Sequence, residues 1–298
     1  MLFAEFAVNP VQVNSLDKLA LLKTSFDFSR GALISAFPNS WLRQVNDQLA
    51  VGLTDMQRKR VSSLLAALKD RALIKSGRDY VGDNWANAAR LSSEQKPFFS
   101  IVGSDTHAPP EHFSAIEMLE QLDFESLGSV DVQRQAVDLI SPLAPLLTGA
   151  AKIRLVDPYA CPTKANVTAV LRALFDVLNG RRCAIEIYSK ESTDSGLVKA
   201  HFRQLVQHLP ETIKLTWFWL NDGGTGQLHQ RLLFIERGGV IFDRGFIEPQ
   251  AHEQRQVSTN LRTMTKIQVD NATRDYNDSQ TLVPCVLRLS SVDTDFRG

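Results

Sequence analysis

The chain has 298 residues, 44% of them hydrophobic, and its 33 basic residues balance 33 acidic ones. At about 100–200 residues per domain, this length gives one large domain or two medium ones, each able to bury a core. Zero net charge excludes a global pull toward nucleic acid or anionic lipid, so any basic site must be local. Cys161, Cys183 and Cys285 are odd in number and contain no CxxC, which excludes a disulfide framework and points to a reducing compartment. The N-terminus MLFAEFAVNP carries an early acid and no basic stretch, and no apolar run reaches the roughly 20 residues that cross a bilayer. The expectation is a soluble, cytoplasmic protein.

The first half reads as helix-rich. A short strand is expected at Leu2–Ala7. Asn14 or Ser15 caps a helix through Leu22, and Pro38, Asn39 and Ser40 precede another from Trp41. The clearest helix runs from its cap Thr54 to Leu73, with Val61, Leu64, Leu65 and Leu68 at helical spacing and Gly77 as its stop. Lys96-Pro97 breaks the chain before Phe98–Val102, which reads as a strand. After the loop Gly103–Pro110, both Ser114–Leu122 and Asp131–Ile140 read as helices. The pattern changes at Thr148-Gly149, which places a boundary between residues 1–148, of unknown role, and 149–298.

The second half alternates. Strands are expected at Lys152–Val156, Cys183–Tyr188 and Ile213–Leu220, separated by helices from Thr163 to Leu178 and from Ser195 to Leu209. Asn179-Gly180 and Pro210 stop those helices. Strands His229–Ile235 and Val240–Phe242 follow, joined by a tight Gly238-Gly239 turn. Leu282–Leu289 is one later apolar run that could close the sheet edge. This order implies an α/β fold: a helix-rich first domain, then a mixed sheet flanked by helices.

The chemistry concentrates at His229-Gln230-Arg231, four apolar residues and Glu236. On a strand, His229 and Arg231 share a face. An imidazole that attacks phosphorus, a cation on the non-bridging oxygens and an acid that orients a histidine make a phosphodiester-cleaving set. Arginine serves as a bidentate phosphate ligand. Two further segments stand out: Val156-Asp157-Pro158-Tyr159 and Asp243-Arg244-Gly245-Phe246.

Together these segments resemble a single half-site of the phospholipase D superfamily, over roughly residues 150–250. They are similar to the degenerate C-terminal domain of MIT-domain-containing membrane-binding proteins. The resemblance implies His229 as nucleophile, Arg231 as phosphate ligand and Glu236 as the polarising acid. Asp157, Tyr159 and Arg244 would join Arg231 in a phosphate pocket. It implies no cofactor and no metal. Arg231 stands for the family's lysine, Glu236 for its aspartate, and the Gly-Ser-x-Asn of active members is absent. No second His-x-Lys occurs, so a catalytic pair requires a homodimer that brings two His229 rings together.

Three functional expectations follow. The first is a non-catalytic module that binds nucleic acid phosphate or another phosphodiester within a larger assembly with protein partners, such as a prokaryotic antiviral defence or restriction-like system. The second is a metal-independent, homodimeric phosphodiesterase or nuclease. The third is a phospholipid-binding module, disfavoured by neutral charge and the lack of an apolar membrane anchor.

Each residue also has a plainer reading. His229 and Arg231 could be a polar pair tied to Glu236 or Asp243, and Asp157 an Asx turn fixed by Pro158. Trp217 and Trp219 read as core rather than a stacking platform for bases. The basic run Arg58, Lys59, Arg60, Lys69, Arg71, Lys75 and Arg78 reads as a solvated helix face rather than a nucleic-acid contact. Asp105, His107 and His112 read as a loop rather than a metal cluster.

Overall fold

A computed structural model describes residues 1–50, 52–103, 113–122, 124–178, 180–191, 194–249, 257–277 and 280–293. The fold is mixed α/β, and the chain divides into two compact units, Met1–Gly128 and Ser129–Gly298. The division precedes the expected one at residue 149. Of the helix expected at Asp131–Ile140, Asp131–Gln133 instead belong to a strand, Ser129–Gln133, in the second unit's sheet, and Ala136–Ile140 is helical. Asp105, His107, His112 and His252 lie outside the described residues.

The first unit is helix-rich around a parallel sheet. Its strands are β1 (Ala4–Val8), β2 (Ala32–Ala36), β3 (Leu73–Lys75), β4 (Ser100–Val102) and β5 (Phe113–Ser114), in the order β3-β2-β1-β4-β5. Parallel neighbours need long crossovers, supplied by α1 (Leu16–Ser25), α2 (Trp41–Leu49), α3 (Asp55–Arg71) and α4 (Trp85–Gln95). Both sheet faces are therefore buried, with Phe6 and Ile34 in one apolar cluster and Ala7 and Ile101 in another. The sequence suggested β1 and β4. It gave no sign of β2, β3 and β5, which span five, three and two residues.

Local signals set the helix ends. Ser15 Oγ accepts the Lys18 N–H and starts α1. Thr54 and Gln57 form a capping box at α3. That helix stops at Arg71, earlier than expected, because Leu73 opens β3 opposite Ile34. The basic run is not one solvated face: Arg71 pairs with Asp27 at 2.6 Å and Arg78 with Glu5 at 2.9 Å. The segment expected as a helix at Ser114–Leu122 contains a 3-10 helix, Ile116–Gln121.

The second unit holds β6 (Ser129–Gln133), β7 (Lys152–Val156), β8 (Cys183–Lys190), β9 (Ile213–Leu220), β10 (Leu232–Ile235), β11 (Gly238–Phe242), β12 (Ser258–Thr263), the two-residue pair β13 (Tyr276–Asn277) and β14 (Gln280–Thr281), and β15 (Cys285–Ser290). Its helices are α5 (Ala136–Ile140), α6 (Ala144–Leu147), α7 (Ala165–Leu178), α8 (Ser195–Gln207) and α9 (Lys266–Asp275). The main sheet runs β15-β9-β8-β7-β10-β11-β12-β6. Strands β7, β8 and β9 are parallel, and the remaining pairings are antiparallel. As expected, β15 closes one edge.

Trp217 and Trp219 are fully buried and stacked at 5.2 Å between ring centroids, so they are core. The opposite sheet face carries Val156, Tyr188, Phe218, Leu232 and Phe234, packed with Met264, Val269, Ala272 and Tyr276. Strand β12 and helix α9 were not anticipated from the sequence. No helix among the described residues is long and apolar enough to cross a membrane.

Candidate phosphate site

Parallel strands β7 and β8 end where β10 begins, and antiparallel pairing fixes the junction. Leu232 pairs with Val156, so the next residues in register, Arg231 and Asp157, are neighbours just beyond the sheet. Asp157 is buried and its carboxylate is fully engaged. Oδ1 accepts the Tyr159 N–H at 2.9 Å and Oδ2 the Phe246 N–H at 2.8 Å. The first bond is the Asx turn that the plainer reading foresaw. The second ties the Asp243–Phe246 turn to the end of β7.

Burial pushes the Asp157 carboxyl above the ordinary aspartate value. The Phe246 and Tyr159 amides and the charges of Arg231 and Lys164 oppose the rise without cancelling it. Asp157 therefore acts as a brace and not as a ligand for an anion.

Gly245 makes the close approach possible. Its φ is +85°, and a Cβ there would lie 2.8 Å from Asp157 Oδ2 and 3.2 Å from Arg231 Cδ. Arg231 Nη1 donates to the Asp243 carbonyl at 3.0 Å. Its guanidinium lies 5.4 Å from the centroid of the exposed Tyr159 ring. Lys164 Nζ donates to the Tyr159 carbonyl at 2.9 Å. Arg244, half-exposed on the same turn, has its N–H on Thr259 Oγ1 and its Nε 4.0 Å from Asp243 Oδ2. Three segments distant in sequence thus meet, and they bring Arg231, Arg244, Lys164 and the Tyr159 ring to one exposed corner. Lys164 was missed by sequence reasoning; its position five residues beyond Tyr159 was the available signal.

The expected catalytic set does not assemble as drawn. His229 and Arg231 precede β10, so strand alternation does not align them. His229 is exposed, with Nδ1 2.9 Å from the Gly226 carbonyl. A carbonyl only accepts, so Nδ1 is the donating nitrogen in this bond.

Glu236 sits at the far end of β10. At about 3.3 Å per residue, the five steps from Arg231 put it roughly 16 Å away, too far to orient His229. The hairpin turn is formed by Glu236 and Arg237, while Gly238 and Gly239 belong to β11. Gly239 is needed there because a Cβ would strike Phe234 Cβ at 2.6 Å.

No family model matches the chain, and no curated protein matches it. Among solved structures, that of TrmBL2, an archaeal chromatin protein with a novel mode of DNA binding, is similar over 53% of this chain and 54% of that one. The match has 10% identity and a TM-score of 0.26 and spans about half of that protein's length. A likeness this weak carries nothing over to this chain.

Proposed function

We propose that the second unit is a degenerate phospholipase D-like domain that binds nucleic acid phosphate without cleaving it. The carrying observation is the corner at Arg231. Its guanidinium is held by a carbonyl and an aromatic ring, on segments that also carry Arg244 and Lys164 and that buried Asp157 ties together through the Tyr159 and Phe246 amides. A positioned guanidinium binds a phosphate with little ordering left to do. Binding without cleavage fits the loss of the acid partner, since a carbonyl orients His229 but does not stabilise an imidazolium as a carboxylate does. An assembly of the prokaryotic defence type is a setting in which such a module would serve as a strand-holding subunit.

Fluorescence anisotropy with a labelled single-stranded oligonucleotide tests this. Arg231→Ala is expected to weaken binding at least tenfold, the loss of roughly 1.5–3 kcal/mol for hydrogen bonds to a charged group. The slope of log affinity against log salt should fall by about 0.7, the value for one phosphate contact on a single strand. Unchanged affinity and slope in Arg231→Ala would remove this corner from function.

The exposed ring of His229, held through Nδ1 on the Gly226 carbonyl, favours a second reading, a homodimeric, metal-independent nuclease. EDTA-resistant cleavage of DNA or RNA that disappears in His229→Ala would establish it.

A further inference from the structure

A second feature adjoins the Arg231 corner. Leu232, Ile241 and Arg262 form a row across β10, β11 and β12, because Leu232 pairs with Ile241 and Ile241 with Arg262. Helix α9 faces this row with Gln268, Asn271 and Asp275, whose spacing of three and four residues makes one helical stripe. Between row and stripe lies a cavity of about 360 Å³, floored by Met264 and Ala272 and closed at one end by His229 and Arg231. That volume lies within the roughly 300–1,000 Å³ usual for small-molecule sites.

The lining has a definite chemical pattern. Ile241, half-buried, offers the apolar side of the groove, with the edges of buried Met264 and Ala272 behind it. Asn271 presents a donor and an acceptor on an exposed amide. Gln268 uses Oε1 to accept the Thr265 N–H at 2.8 Å, so its Nε2 remains a donor at the cavity wall. Asp275, whose Oδ1 accepts Arg274 Nε at 3.0 Å, supplies a second carboxylate oxygen, and Arg262 an exposed cation on the strand opposite. Donors and acceptors along one edge, an apolar face and a guanidinium beyond them match a nucleobase with its attached phosphate.

We infer that this groove is a binding site for a single unpaired nucleoside monophosphate unit, either free or within a single strand, with the base against α9 and the phosphate on Arg262. The inference rests on the phosphodiester reading above and gives it a second contact, one that recognises a base. The Arg231 corner then holds a neighbouring phosphate of the same strand.

Titration calorimetry with nucleoside 5′-monophosphates, ribose 5-phosphate and inorganic phosphate tests the pocket. Anisotropy with intact and abasic single strands tests its use. At least one monophosphate is expected to bind more than tenfold tighter than ribose 5-phosphate. Asn271→Leu and Arg262→Ala, both at exposed positions, should each weaken that nucleotide roughly tenfold, in line with the value of a good base or phosphate contact.

Equal binding of ribose 5-phosphate and every monophosphate, or no effect of Asn271→Leu, would overturn the inference. If Arg231→Ala weakens strands while intact and abasic strands bind alike, the phosphodiester reading stands and the base pocket falls. If free nucleotide binds and strands do not, the pocket stands as a mononucleotide site and the strand reading falls.

Discussion

Arg78→Ala is expected to destabilise the first unit by about 3–5 kcal/mol, the range for removing one partner of a buried ion pair. Glu5 projects from β1 into a nearly closed site, where the Arg78 and Glu5 side chains are 4% and 10% exposed. Glu5 Oε1 receives Arg78 Nε at 3.0 Å and Ser35 Oγ at 2.8 Å, while Oε2 receives Arg78 Nη2 at 2.9 Å and Lys96 Nζ at 3.1 Å. The guanidinium also donates to Ser92 Oγ and the Lys96 carbonyl and lies 3.7 Å over the Phe98 ring. One side chain thus joins β1, the exit of β3 and the end of α4.

Burial raises the Glu5 pKa, but Arg78, Ser35 and Lys96 outweigh it, so the carboxyl titrates below the ordinary glutamate value. A folded pKa below the unfolded one contributes stability above the unfolded value, about 4.3, and that contribution is lost as pH falls through the folded one. In Arg78→Ala the main counter-charge is gone and the burial remains. The gap between wild type and variant in urea unfolding should therefore be widest near neutral pH and shrink below pH of about 4. A gap that stays constant down to pH of about 3 would show that Arg78 contributes packing over Phe98 and not charge.

Glu186→Ala should be comparably damaging in the second unit, by about 3–5 kcal/mol, for a different reason. Glu186 gathers Lys152 Nζ at 2.6 Å, Arg154 Nε at 3.1 Å and the Tyr188 hydroxyl at 2.9 Å. Arg154 is only 7% exposed, and its Nη1 has no hydrogen-bond partner among the described residues. Removing Glu186 leaves a buried guanidinium with no counter-charge from β8. The pair Arg154→Met with Glu186→Leu should recover most of the loss, because apolar replacement of both members removes both desolvation penalties. A double variant as unstable as Glu186→Ala would show instead that the Lys152 and Tyr188 contacts dominate. Denaturation midpoints of the wild type, the single variant and the double variant decide between these outcomes.

Much of the second unit was legible because its elements are long. The eight-residue strands β8 and β9 and the helices between and before them show clear runs and stops. The first unit's sheet was harder to read, since its strands of two to five residues are too short to show a period, and β2 is buried at every position with no alternation to detect. The convergence of Asp157, Tyr159, Arg231 and the Asp243–Phe246 turn followed from motif resemblance, and hydrogen bonds account for it.

Spacing alone could not bring Glu236 to His229, because the four residues of β10, Leu232–Ile235, lie between Arg231 and Glu236. The groove escaped notice because β12 and α9 are polar and short. Their one clear signal was Thr265-Lys266-Ile267-Gln268, a capping box followed by Val269, Ala272 and Tyr276 at helical spacing.

The position of β6 bears on any attempt to divide this chain. It pairs with β12 at five successive positions, from Ser258 opposite Gln133 to Arg262 opposite Ser129. A fragment starting at the change of sequence pattern near residue 149 would lack this strand and leave the backbone N–H and C=O groups of β12 bare. An uncovered sheet margin is a template on which another copy can add its own strand. Such a fragment would tend to self-associate beside the groove that contains Arg262. The first five residues of the second unit therefore belong to any fragment meant to keep β12 paired.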